Sequence, residues 1–228
     1  QIIYLTGFLF SLLYIFKNTD MYKESIKITQ LFKKSFSTTL FLYISSLLKN
    51  IINHADKIIM LPLLGPGNVA IYYSASIIGK IFSMAITPAN TVILSYVAKR
   101  ESKNNKDIIY FLISSFAIGI VVYIIALLLS PYFLSIFYNE WATSSLKLVK
   151  YTTATAIITI MASLFHPYNL KFNSPKWQVY MSSIYLLIFF VLIYFLSQKY
   201  GLVGFCIAAL ISSTINFIMQ ILIYFKMN

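Results

Sequence analysis

The stretch Leu61-Pro62-Leu63-Leu64-Gly65-Pro66-Gly67-Asn68 joins two apolar runs, 36–61 and 69–98, and its reading decides the fold. Each run exceeds the ~20 mostly apolar residues that cross a bilayer, and two prolines and two glycines turn the chain tightly between them. Yet the first run carries Lys49, Asn50, Asn53, His54, Asp56 and Lys57, and the second carries Lys80 and Asn90. A charged side chain near the bilayer centre costs roughly 3 kcal/mol or more. Chains keep such residues where they pair, face a water-filled cavity or handle a charged substrate, so this hairpin is where function is expected.

Composition sets the class. Of 228 residues, 59% are hydrophobic and 11% charged, and the mean hydropathy is +0.79. A soluble domain carries roughly 25% charged residues, so too little polar surface is available for water. The expectation is all-α: a polytopic membrane helical bundle of six spans plus the end of a preceding one. The 17% aromatic share fits, since Tyr and Trp sit well at headgroup level. A net charge of +12 would suggest nucleic acid in a soluble protein. Here the basic residues fall in short loops between apolar runs, which topology explains, and no nucleic-acid partner is expected. Cys206 is the single cysteine, so neither an internal disulfide nor a cysteine-based zinc site is available. Its expected role is that of a small buried hydrophobe. No Walker motif is present, and no cofactor or metal is expected. Gln1 opens directly into an apolar run with no basic leader, so the chain reads as part of a longer protein entered partway through a helix.

Three domains follow: 1–16, the end of a preceding span; 17–35, a cytoplasmic basic amphipathic linker; and 36–228, the six-helix lobe. In the linker, Ile28, Leu31 and Phe32 fall on one side of a helix and Lys23, Lys27 and Lys34 on another. This suits a helix lying in the membrane interface, or equally a solvated connector. The later spans are expected at 108–129, 148–166, 179–197 and 202–225, with segments 130–147 and 167–177 as loops and a kink at Pro88. The third span is free of charge and expected to face lipid over much of its surface. Lys17, Lys23, Lys27, Lys33, Lys34, Lys99, Arg100, Lys103, Lys106, Lys171, Lys176 and Lys226 fall in one set of loops. Only Lys147, Lys150 and Lys199 fall in the other. The richer side is therefore expected to be cytoplasmic, and the C-terminus with it.

Lys49 and Lys80 lie near the middle of their spans, too deep for easy snorkelling. Facing one cavity, they would make a cationic site for phosphate or pyrophosphate; the alternative for Lys49 is satisfaction by Asn50, Asn53 or a carbonyl. Asp56 lies seven residues beyond Lys49, so the two share a face with Asn53, and Asp56 suits a proton or cation relay or a structural pair. His54 is a candidate proton-coupled group because its charge switches near neutral pH. His166, before Pro167, reads as an interface anchor. Ser74, Ser76, Ser83, Thr87, Asn90, Thr91, Thr152, Thr153, Thr155, Asn216 and Gln220 line a hydrophilic cavity or bond helix to helix. The substrate-binding candidates are Lys49, Lys80, Asn53 and Asn90, and the ion-coupling candidates are Asp56 and His54.

The stretch Ala55-Asp56-Lys57-Ile58-Ile59-Met60-Leu61-Pro62-Leu63-Leu64-Gly65-Pro66-Gly67-Asn68-Val69-Ala70-Ile71-Tyr72-Tyr73-Ser74-Ala75 resembles the polysaccharide repeat-unit flippases of the multidrug/oligosaccharidyl-lipid/polysaccharide exporter superfamily. The shared features are an Asp near the end of a span, a Leu-Gly turn and a Tyr-rich start of the next span. Tyr200-Gly201-Leu202-Val203-Gly204 is similar to the family's entry to a final helix, and the resemblance extends over most of 36–226. It implies a two-lobe transporter of about twelve helices, of which this chain is the C-terminal lobe. Its partners would be the N-terminal lobe of the same protein, membrane lipids and a lipid-linked oligosaccharide. The activity implied is movement of an undecaprenyl-pyrophosphate repeat unit across the bacterial inner membrane for O-antigen, lipopolysaccharide or capsule synthesis, without bond-making chemistry. Lys49 and Lys80 would then neutralise the pyrophosphate. The alternatives are a cation-coupled multidrug exporter, which favours buried carboxylates, and a membrane enzyme acting on lipid-linked sugars, which favours a large outer loop with catalytic residues.

Overall fold

A computed structural model describes residues 2–18, 29–99 and 105–226, with the side chains of 2–5, Asp56, Lys57, Thr87, Asn105 and Asp107 outside the description. Most of the basic linker, 19–28, also lies outside the described residues. The described chain is helical throughout: α1 (Ile2–Asn18), α2 (Gln30–Leu64), α3 (Pro66–Ala98), α4 (Asn105–Phe137), a 3-10 turn (Asn139–Trp141), α5 (Ala142–Phe172) and α6 (Lys176–Lys226). It divides into two units, Gln1–Thr39 and Leu40–Asn228. In the first, α1 is an apolar helix with Phe8, Phe10, Leu13 and Tyr14 exposed. The start of α2 is capped by Thr29, whose hydroxyl accepts the Phe32 N–H at 3.2 Å and so satisfies a donor that has no partner within the helix.

The second unit holds the bundle. Among the described residues, four helical stretches are long and apolar enough to cross a membrane: Pro66–Ala98, Ile108–Phe137, Asn139–Phe172 and Lys176–Lys226. The polar run from Lys49 to Lys57 keeps α2 off that set, although its 35 residues give ample length. At ~1.5 Å per residue, the 51 residues of α6 would extend ~76 Å, more than twice a ~30 Å hydrocarbon core. Gly201 resolves this: its φ of 56° and ψ of −134° break the helix into segments 176–200 (α6a) and 202–226 (α6b). Gly204 then packs against the Leu196 carbonyl, an approach that only a reversed chain allows. The two segments thus form an antiparallel hairpin, broken where the expected spans 179–197 and 202–225 meet.

Three expected loops are shorter than their prolines imply. Helix α2 runs through Pro62 to Leu64, and Gly65 (φ 81°) is the one non-helical residue before α3 starts at Pro66. Proline at the first helical position costs no backbone bond, and the Asn68 amide donates to the Leu64 carbonyl at 2.7 Å. Helix α4 likewise passes Pro131, and α5 passes Pro167. Each proline frees only the carbonyl four residues before it, and packed neighbours make such interruptions tolerable in apolar helices. Helix α3 also continues through Pro88.

Helix α5 is central, packed against α3, α4 and α6. Its partnership with α3 is parallel along the whole length. Ser74 meets Ser145 (2.6 Å between hydroxyls), the Thr152 hydroxyl donates to the Ala75 carbonyl (2.9 Å), Asn90 reaches Ser163 (3.1 Å), and Lys171 Nζ donates to the Ala98 carbonyl (2.8 Å). The near-constant separations of 71–77 residues define the shared direction. Gly79 permits the approach, since a β-carbon there would lie 2.6 Å from Ala156 Cβ. By contrast α4 keeps a long exposed apolar face, including Ile113, Ile120, Ile124 and Leu128.

The Gly65 and Gly201 turns lie at one end of the bundle, closed by apolar clusters. One gathers Ile52, Met60, Phe189, Ile193, Phe205 and Ala208, and the next gathers Ala75, Leu134, Leu148, Val149 and Cys206. At the other end lie Lys99, Lys171, Lys176 and Lys226, where an aromatic cluster of Phe111, Phe165, Phe217, Tyr168 and Tyr224 ties α4, α5 and α6b together.

Candidate substrate cavity

A cavity of about 370 Å³ opens between α2, α3, α5 and both arms of α6, in the half of the bundle nearer the basic end. Helix α2 contributes Lys49 and Asn53, one turn apart on the same face. Helix α3 contributes Asn90 and Thr91; α5 contributes Thr159, Ser163 and His166; α6a contributes Ser182 and Tyr185; α6b contributes Asn216 and Gln220. The wall is amide- and hydroxyl-rich, with Lys49 as its basic side chain. No carboxylate lines it among the described residues.

Three of the four substrate-binding candidates therefore converge: Lys49, Asn53 and Asn90. Lys80 is not among the lining residues. Ten residues separate it from Asn90, which at ~100° per residue turns it ~80° round α3 and sets it ~15 Å along the axis. Its ammonium instead lies 4.5 Å from the Tyr73 ring centroid, a cation–π contact two turns back on the same helix. His54, five residues from Lys49, is rotated ~140° away from it on α2, is exposed, and does not line the cavity. Asp56 has its backbone in α2, but its side chain lies outside the described residues.

His166 and Gln220 are the additions. Pro167 made His166 read as a helix end, but α5 continues to Phe172 and carries His166 on the face of Thr159 and Ser163. The i, i+4, i+7 spacing of those three is the signal that would have found it. Two polarities meet in the wall. Asn90 Nδ2 donates to the Ser163 hydroxyl, which itself donates to the Ile160 carbonyl, and Asn90 Oδ1 has no partner among the described residues. Lys49 offers only donors. The cavity can thus hold anionic oxygens at its cationic side and accept a hydroxyl or amide proton elsewhere.

Below it, at the α5–α6a turn, lies a buried polar knot. The Ser45 hydroxyl is 2.9 Å from that of Ser182 and donates to the Gln178 carbonyl at 3.2 Å, joining α2 to α6a. Asn169 Nδ2 donates to the Gln220 side-chain oxygen at 2.7 Å, joining α5 to α6b.

Fold and cavity together define a class: a helical membrane protein whose bundle encloses a polar, cation-bearing cavity in otherwise apolar surroundings. Residues 2–99, covering α1 to α3, match the model of a family described as polysaccharide biosynthesis protein. No curated protein and no solved structure matches the chain. The match includes the Lys49, Asn53 and Asn90 side of the cavity, while α4, α5 and α6 lie beyond it.

Proposed function

We propose that this chain is one lobe of a flippase that carries a lipid-linked oligosaccharide across the bacterial inner membrane. The observation that carries the reading is Lys49, a basic side chain that shares one cavity with the amides and hydroxyls of Asn53, Asn90, Ser163 and Gln220. Such a side chain suits an anionic diphosphate, and the surrounding polar groups suit sugar hydroxyls. The match of residues 2–99 to polysaccharide biosynthesis proteins supports the same class of substrate. In this reading α2, α3, α4, α5, α6a and α6b are six crossings, the basic end faces the cytoplasm, and the C-terminus lies there. The partners are membrane lipids and a second lobe of the same protein, across which the cavity completes its path. Transport proceeds without making or breaking a covalent bond, and the substrate is an undecaprenyl-pyrophosphate repeat unit destined for O-antigen or capsule.

The test is the leaflet on which that lipid resides. In spheroplasts of cells lacking the protein, lipid-linked repeat units are expected to accumulate where an added glycosidase cannot reach them, and the intact gene restores access. Equal accessibility with and without the protein contradicts the assignment.

A further inference from the structure

Gln220 lines the cavity, yet it is 3% exposed and its side-chain oxygen is already engaged. The nitrogen and oxygen of a side-chain amide are told apart by their partners, and here the partners are decisive. Asn169 Nδ2 lies 3.0 Å from the Gln220 backbone carbonyl, a group that can only accept. That end of Asn169 must therefore be its NH₂. The same nitrogen lies 2.7 Å from the Gln220 side-chain oxygen, and Asn169 Oδ1 accepts from Asn173 Nδ2 at 2.9 Å. The three amides run head to tail, Asn173 to Asn169 to Gln220, anchored by a main-chain carbonyl. All three are buried, and at low local dielectric a reversed amide would set like groups against each other at high cost. With its oxygen held, Gln220 has its NH₂ left for the cavity that it lines together with Lys49.

We propose that Gln220 is a binding residue of this cavity, donating to the oxygens of a phosphate group held by Lys49, and that Asn169 and Asn173 are positioning residues that fix its polarity. The proposal rests on the reading of the cavity as the seat of an anionic head group. It adds a second donor to that seat and gives the buried knot near the α5–α6a turn a functional role, because the amides that join α5 to α6b also set which end of Gln220 the substrate meets.

The probe is inorganic pyrophosphate, titrated calorimetrically into the purified full chain in detergent, with thermal unfolding as the check on folding. Gln220→Glu keeps an oxygen for Asn169 Nδ2 and puts an acceptor, with a negative charge when ionised, at the end facing the cavity. It is expected to weaken binding at least about tenfold, the worth of a hydrogen bond to a charged group, with a similar unfolding temperature. Gln220→Met, uncharged and close in volume, is expected to weaken binding about five- to tenfold and serves where the Glu variant does not fold. Asn169→Leu is expected to weaken binding beside Gln220 and to add nothing once Gln220 is replaced by Met. Equal losses in both backgrounds overturn the positioning role. If Gln220→Glu and Gln220→Met bind as the unaltered chain does while Lys49→Ala binds poorly, the Gln220 assignment fails and the cavity reading stands. If the unaltered chain does not bind pyrophosphate, or Lys49→Ala binds it equally well, both fail together.

Discussion

Lys49 and Lys80 look alike in sequence, each a lone cation well inside an apolar run, and the fold separates them. Lys49 reaches a polar cavity with Asn53, Asn90 and His166; Lys80 rests on the Tyr73 ring. A cation–π contact contributes roughly 0.5–2 kcal/mol and needs no ligand. Lys80→Ala is therefore expected to leave surface polysaccharide within about twofold of the unaltered level, measured alongside protein abundance, and a loss comparable to that of a Lys49 variant would place a second cationic site on α3. Lys49, Asn53 and Asn90 stood out in sequence because polar groups at membrane depth are conspicuous, and the fold sets all three around one cavity. The sequence reading missed His166 and undervalued Gln220 for one reason. Both depend on α5 continuing past Pro167 to bring Asn169 and Asn173 beneath the cavity, and a proline after a histidine reads as a stop.

At the scale of elements, the α6 hairpin and the α3–α5 pair hold the cavity walls in place. Gly204→Ala would drive a methyl group into the Leu196 carbonyl and is expected to cost ~1–3 kcal/mol, lowering the unfolding temperature in detergent by roughly 2–10 °C. Gly201→Ala, at φ 56°, is expected to cost ~1–3 kcal/mol through backbone strain alone. Thr152→Val removes one bond to the Ala75 carbonyl and is expected to cost about 0.6 kcal/mol, the average for a hydrogen bond between membrane helices. A Thr152 loss exceeding the Gly204 loss would contradict this ordering. The break in α6 was legible in sequence because the polar Gln198-Lys199-Tyr200-Gly201 interrupts the apolar pattern between the spans 179–197 and 202–225. The ends of α2, α4 and α5 were not, since Pro62, Pro131 and Pro167 carry turn signals through which these helices nonetheless continue. The parallel α3–α5 seam was also hidden, because its serines and threonines have no period that distinguishes a helix contact from a cavity wall.

At the scale of the molecule, one end of the bundle is sealed by apolar clusters and carries the glycine turns, while the cavity lies toward the end that carries Lys99, Lys171, Lys176 and Lys226. If that basic end faces the cytoplasm, a cysteine placed at exposed Ser174 in a Cys206→Ser background reacts with a membrane-impermeant maleimide only after spheroplasts are permeabilised, whereas one at exposed Asn139 reacts at once. The reverse pattern would invert the topology and put the cavity on the outer side. The central claim, that this cavity receives an anionic lipid head, is tested most directly by surface polysaccharide in cells whose protein carries Lys49→Ala or Lys49→Arg, with abundance read by immunoblot. The prediction is a loss of at least about tenfold with Ala, the scale of a lost charge-assisted bond, and substantial recovery with Arg, which keeps the charge and donates to phosphate. Normal polysaccharide in the Ala variant at normal abundance would contradict it.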